Sequence, residues 1–226
     1  MKRLLTPKKS LALCAAIFLL CVSLSALADI EGSKHDFTFA ANECEVCHTP
    51  HKAFTAAAPL WRHHDPALDV TVYEQYQSVD VRGTMEATVG QPNGISKLCL
   101  NCHNGVTGPA GMTQILGTDL KNDHPISFTY DATLATADGY LYDPSTHPSG
   151  VSAAGTIATD LLRGPLNDQL ECVSCHEVHN RYNNLKMLVL PGAAAGWSGS
   201  GTPGDAAPQT LCKTCHALGT GATVIH

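Results

Sequence analysis

Hydrophobic and polar positions divide this 226-residue chain sharply at its start and only faintly afterwards. From Leu11 to Leu27 the chain is apolar and carries no charge. No later apolar stretch is long enough to span a bilayer. Beyond it the apolar positions come in short runs. Val70-Thr71-Val72-Tyr73 alternates and is β-rich, which predicts a short strand. Met187-Leu188-Val189-Leu190, closed by Pro191-Gly192, predicts another. Tyr130 to Leu162 has weak periodicity, Asn104 to Pro109 is rich in turn residues, and Ala193 to Pro208 reads as an exposed loop of Gly, Ala, Ser and Pro. The pattern predicts a mostly irregular chain with short helices and a few short strands, and no boundary between separately folding parts.

The first apolar run changes the picture of where the chain works. Lys2, Arg3, Lys8 and Lys9 precede it, and Ala26-Leu27-Ala28 follows as a small-residue cleavage site. That is the layout of a secretory signal peptide over residues 1–28. The run is also long enough for a membrane anchor, but the Ala-x-Ala ending before polar Asp29-Ile30-Glu31-Gly32 favours cleavage. Residues 29–226 are then one exported domain with no membrane span.

One pentapeptide, Cys-x-x-Cys-His, occurs four times: Cys44-Glu45-Val46-Cys47-His48, Cys99-Leu100-Asn101-Cys102-His103, Cys172-Val173-Ser174-Cys175-His176 and Cys212-Lys213-Thr214-Cys215-His216. On a short helix, positions i, i+3 and i+4 share a face. Two thiols so placed reach the two vinyl groups of a haem, and the next histidine lies under the iron. Paired cysteines also hold zinc or act as redox dithiols. Neither role needs a histidine after the second cysteine, and four recurrences of it favour four covalently bound haem c groups. Of ten cysteines, Cys14 and Cys21 lie in the signal and the other eight are these four pairs, so none remains for a structural disulfide.

The composition then bounds the core and the partners. At about 50 residues per haem, with aromatics at 6%, the haems must supply much of the buried apolar area. The chain without its signal keeps ten of fourteen Lys and Arg against all twenty Asp and Glu. That excess argues against nucleic acid and anionic lipid as partners.

Each iron also needs its sixth position assigned. Four of the twelve histidines are proximal, leaving His35, His51, His63, His64, His124, His147, His179 and His226. Histidine supply exceeds demand, so four bis-histidine sites are the simplest expectation, and no catalytic residue is expected. His51 and His179 each follow a proximal histidine by three residues. Three residues reach about 10 Å, too little to round the edge of a porphyrin to its other face. If either binds iron, it binds that of a different haem; otherwise it hydrogen-bonds a propionate.

The stretches Ser33-Lys34-His35-Asp36, Cys44 to His51, Pro59-Leu60-Trp61, Ser96 to Gly105, Asp123 to Phe128 and Cys172 to His179 run through most of the chain after the signal. In them the sequence resembles the multihaem c-type cytochromes of metal-reducing bacteria, in particular the OmcE-like tetrahaem cytochromes that polymerise into extracellular filaments. The resemblance implies a multihaem cytochrome c fold whose core is formed largely by four stacked haems, conducting electrons without bond chemistry. It implies that His51 ligates a haem of a neighbouring identical subunit, and that His35 and His124 are distal ligands of haems one and two. It also implies that His179 completes one of the remaining haems, with His63 in reserve. The implied setting is extracellular or cell-surface, with outer-membrane or periplasmic cytochromes and external electron acceptors as partners. A soluble periplasmic carrier is the alternative, and a multihaem reductase would need an open iron.

Overall fold

The computed structural model describes residues 30–53, 60–62, 66–76, 79–80, 83–108, 111–190 and 209–217. The signal segment, His63, His64, His226 and the loop 193–208 lie outside the described residues.

The elements are short because polar caps and left-handed turns stop them early. A 3-10 helix, Glu43–Val46, starts where the Asn42 side chain accepts the Cys44 N–H at 3.1 Å. Helix α1 is Pro66–Val70 and α2 is Gly94–His103. Asn104 ends α2: its side-chain oxygen turns back to accept the N–H groups of Val106 and Thr107 at 2.8 and 2.9 Å. Helix α3, Ala132–Asp138, is capped by Asp131, which accepts the Leu134 N–H at 2.8 Å, and stopped by left-handed Gly139 at φ 75°. Helix α4 is Ile157–Asp160, α5 is Cys172–Cys175 and α6 is Gln209–Cys215. Strands β1, Val79–Asp80, and β2, Gly83–Thr84, pair antiparallel. Strands β3, Phe128–Thr129, and β4, Gln169–Leu170, do the same, with Phe128 opposite Leu170.

The side-chain core lies in the second half of the described chain. Phe128, Tyr130, Ala135, Ile157, Leu161, Leu162, Leu170, Val189 and Leu190 form one buried cluster, with Leu211 and Cys215 packed against it. A smaller cluster joins Tyr73, Leu100 and Leu120. The 3-10 helix at Cys44 contributes no buried residue. The segment from 130 to 162, weak in periodicity, therefore supplies much of the core, because its apolar residues lie on two one- to two-turn helices and the bends around them.

Two local readings differ from the structure. Val70 ends α1 and no strand forms over 70–73; instead Glu74 makes a single parallel bridge to Asp119. The run 187–190 follows a 3-10 turn, Leu185–Met187, and only Leu188 enters a bridge, to His176. In both places the chain finds one partner residue instead of a ladder, which is too little to hold a strand. Among the described residues, no helix is long and apolar enough to cross a membrane.

Candidate functional site

Each Cys-x-x-Cys-His pentapeptide begins on a helix, and three share a further device. After the helix at sites one, three and four, the histidine enters a one-residue antiparallel bridge: His48 to Trp61, His176 to Leu188 and His216 to Leu141. The same two backbone bonds flank each bridge. The second cysteine's carbonyl accepts the N–H of Arg62, Val189 or Tyr142 at 2.8, 2.9 and 2.9 Å. The residue after the histidine donates to Leu60, Met187 or Tyr140 at 2.8, 2.7 and 2.6 Å. Site two differs, because α2 runs through His103 and the His103 carbonyl takes the N–H groups of Leu116 and Gly117.

The eight thiols lie close from one motif to the next. Burial pushes Cys47 up, and the nearby Cys102 and Cys44 add to the shift. Cys99 and Cys172 share a hydrogen bond that raises Cys99, where burial adds to it, and lowers Cys172. Burial raises Cys175 to about 11 and Cys215 to about 12, and each also feels the other motif's cysteines. Burial likewise raises Cys102 and Cys212. Site one thus adjoins site two, two adjoins three, and three adjoins four.

The histidines pair across long sequence distances. Ring centroids of His48 and His179 are 6.3 Å apart, those of His35 and His103 6.2 Å, and those of His124 and His216 6.3 Å. Each pair joins a motif histidine to a distant one. An iron held at about 2.0 Å by one nitrogen of each ring would set the centroids about 6.3 Å apart. The residues therefore fit a six-coordinate iron at three sites. A porphyrin supplies the other four donors, so two imidazoles suffice. Among the described residues, no three His, Cys, Asp or Glu side chains converge as a bare metal site.

Hydrogen bonds orient these rings. Nδ1–H of His103 donates to the Gln114 carbonyl at 2.8 Å, His124 to Pro125 at 2.9 Å, His176 to Lys186 at 2.9 Å and His35 to Val178 at 3.4 Å. His179 donates instead to a carboxylate, Glu177 Oε1, at 3.2 Å. With Nδ1–H so engaged, Nε2 keeps its lone pair for a metal. Burial lowers the His35 pKa, opposed by the Val178 carbonyl and assisted by His103, His176 and His179, which favours the neutral, ligating form. Trp61 meets the His48 ring edge-on at 6.2 Å, and its buried indole N–H has no acceptor, as a bound acidic group such as a propionate would supply.

These pairs differ from the assignment that the resemblance implies. His35 lies across from His103 of site two, not His48 of site one, and His124 lies across from His216 of site four, not His103. The reason is in the chain path: His35 is tied to the Val178 carbonyl, which brings it beside α2. His179 faces His48, the motif histidine of a different site from its own. His147 stacks on Tyr142 at 3.7 Å. His51 is exposed, and among the described residues no imidazole faces it or His176 at such a spacing. Glu177 and the Val178 carbonyl were missed as orienting groups, although Glu177 lies in plain view between two histidines. No protein-family model matches the chain, and no curated protein does.

Proposed function

We propose that this chain is an exported tetrahaem c-type cytochrome that passes electrons along four covalently held haems. The observation that carries the reading is the set of three imidazole pairs at 6.2–6.3 Å, each ending on a Cys-x-x-Cys-His histidine. Cys44 and Cys47 would hold the first haem between His48 and His179. Cys99 and Cys102 would hold the second between His103 and His35, and Cys212 and Cys215 the fourth between His216 and His124. Cys172 and Cys175 would hold the third on His176. Bound there, the group supplies one-electron chemistry at iron. The protein's part is to orient the imidazoles through their Nδ1–H bonds, to bring consecutive sites together at the cysteines, and to limit water. The reading assigns no catalytic residue.

His51 completes this proposal. It is exposed, and its own carbonyl is held by the Thr49 hydroxyl at 2.9 Å. In our reading it ligates the iron on His176 of a neighbouring copy, which makes the chain the subunit of an extracellular filament. External acceptors and periplasmic or outer-membrane cytochromes would then be its redox partners. The test is His51→Ala in the haem-loaded protein. Electron microscopy should show filaments of the parent and none of the variant, and the variant should gain one iron that binds carbon monoxide. Filaments persisting in His51→Ala would overturn the assembly, and a parent without covalent haem by mass would overturn the whole reading.

A further inference from the structure

We propose that Glu177 tunes the site one iron, strengthening its ligation by His179 and lowering its reduction potential. The inference rests on the haem reading above and concerns His179, the imidazole opposite His48. Of the five imidazoles whose Nδ1 contacts are described above, four donate to backbone carbonyls and only His179 donates to a carboxylate. A carboxylate draws the Nδ1 proton harder than a carbonyl does, so the other ring nitrogen becomes a better donor. Better donation favours the ferric state, which is a lower potential.

The carboxylate is built in. Glu177 Oε1 also accepts the His179 backbone N–H at 3.3 Å, and Oε2 accepts the Arg181 N–H at 2.6 Å. Its own N–H is fixed to the Met187 carbonyl at 2.7 Å. The Glu177 side chain is 16% exposed, so the acid is largely shielded from water. At site one the corresponding position is Thr49, which offers the second histidine of its motif no charge. The effect also crosses between motifs: an acid on the site three segment acts on the iron of site one.

Glu177→Gln keeps an acceptor for the Nδ1–H and for the turn, and removes the charge. In potentiometric titration of the haem-loaded protein, one of four steps should move upward by about tenfold in its reduction equilibrium, ~59 mV. One low-spin electron paramagnetic resonance signal should change its g-values, and the other three steps should stay. Glu45→Gln removes an equal charge beside Cys44 without touching an imidazole and should move that step less than Glu177→Gln does. Four unmoved steps in Glu177→Gln, an equal shift in Glu45→Gln, or a high-spin signal in place of the low-spin one would each overturn the proposal. A wild-type protein lacking four covalent haems by mass would overturn it through the haem reading. Four haems with unmoved steps would overturn the tuning alone.

Discussion

In both Cys44–His51 and Cys172–His179 a short helix carries the cysteines and the first histidine enters an antiparallel bridge. The residue after the second histidine, Lys52 or Asn180, turns left-handed at φ 56° in both. The surroundings differ. At site three, Glu171 is 2% exposed and its Oε2 accepts the Ser96 N–H at 3.1 Å and the Ser127 hydroxyl at 3.2 Å, joining α5 to α2 and to the residue before β3. The Cys172 N–H is tied to the Ser96 hydroxyl at 2.9 Å. The same segment holds His35 through Val178 and sends His179 to His48. Site one buries nothing in its helix, and its second histidine is exposed. Similar local sequence therefore yields similar local backbone, while the packing around it decides whether the second histidine faces another imidazole of the chain.

The largest test of that contrast is His179→Ala. If His179 is the internal ligand and His51 the external one, the variant turns one low-spin iron five-coordinate, detected by carbon monoxide binding, and still polymerises. Four low-spin irons in the variant would mean that another histidine, such as His63, serves site one, and the contrast would break.

A second test compares how each site is anchored. Glu171→Ala leaves a buried N–H and hydroxyl without their acceptor and should cost about 3 kcal/mol in urea denaturation of the haem-loaded protein. Glu43→Ala, in the first turn of the site one helix, should change stability by under about 0.5 kcal/mol. Comparable losses would show that site one is anchored as firmly as site three.

The smallest expected effect lies in the loop that packs on the core beside α4. Asp160 accepts hydrogen bonds from the Ser149 hydroxyl, the Ser152 hydroxyl at 2.9 Å and the Ser152 N–H at 3.2 Å. Burial pushes its pKa up, but these bonds outweigh burial and hold it below the usual carboxylate value. A depressed folded-state pKa gives stability that is present above the unfolded value and lost as pH falls through the folded one. Asp160→Asn should therefore cost about 1 kcal/mol at pH 7 after solvent screening, and the difference from the parent should close in acid below about pH 4. Thermal melts across that range measure it, and the His48–His179 site should keep its spectrum throughout.

The spacing of Cys, Cys and His in each pentapeptide was legible because it is a local matter: one turn of helix puts those side chains on one face. The reach argument for His179 was local too, since three residues have a fixed maximum span. The common bridge at sites one, three and four was not legible. Its partner comes shortly after the motif at Trp61 and Leu188 but far before it at Leu141, so the chain shows no repeat. The expected strand at 70–73 failed for a related reason. Alternation describes a residue's fitness for a sheet, but a strand needs a neighbour, and here only Glu74 finds one.

By itself, then, the sequence determined the number of candidate sites, the cysteines and histidines of each, and the surplus of imidazoles outside the motifs. Only the tertiary structure decided the pairing: His48 with His179, His35 with His103, His124 with His216. Each pair spans two segments held together by distant contacts such as His35 to Val178 and Glu171 to Ser96. Side-chain spacing encodes what one turn of backbone can bring together. It carries no information about which distant turn will pack across from it, and that is where the pairing of the imidazoles is made.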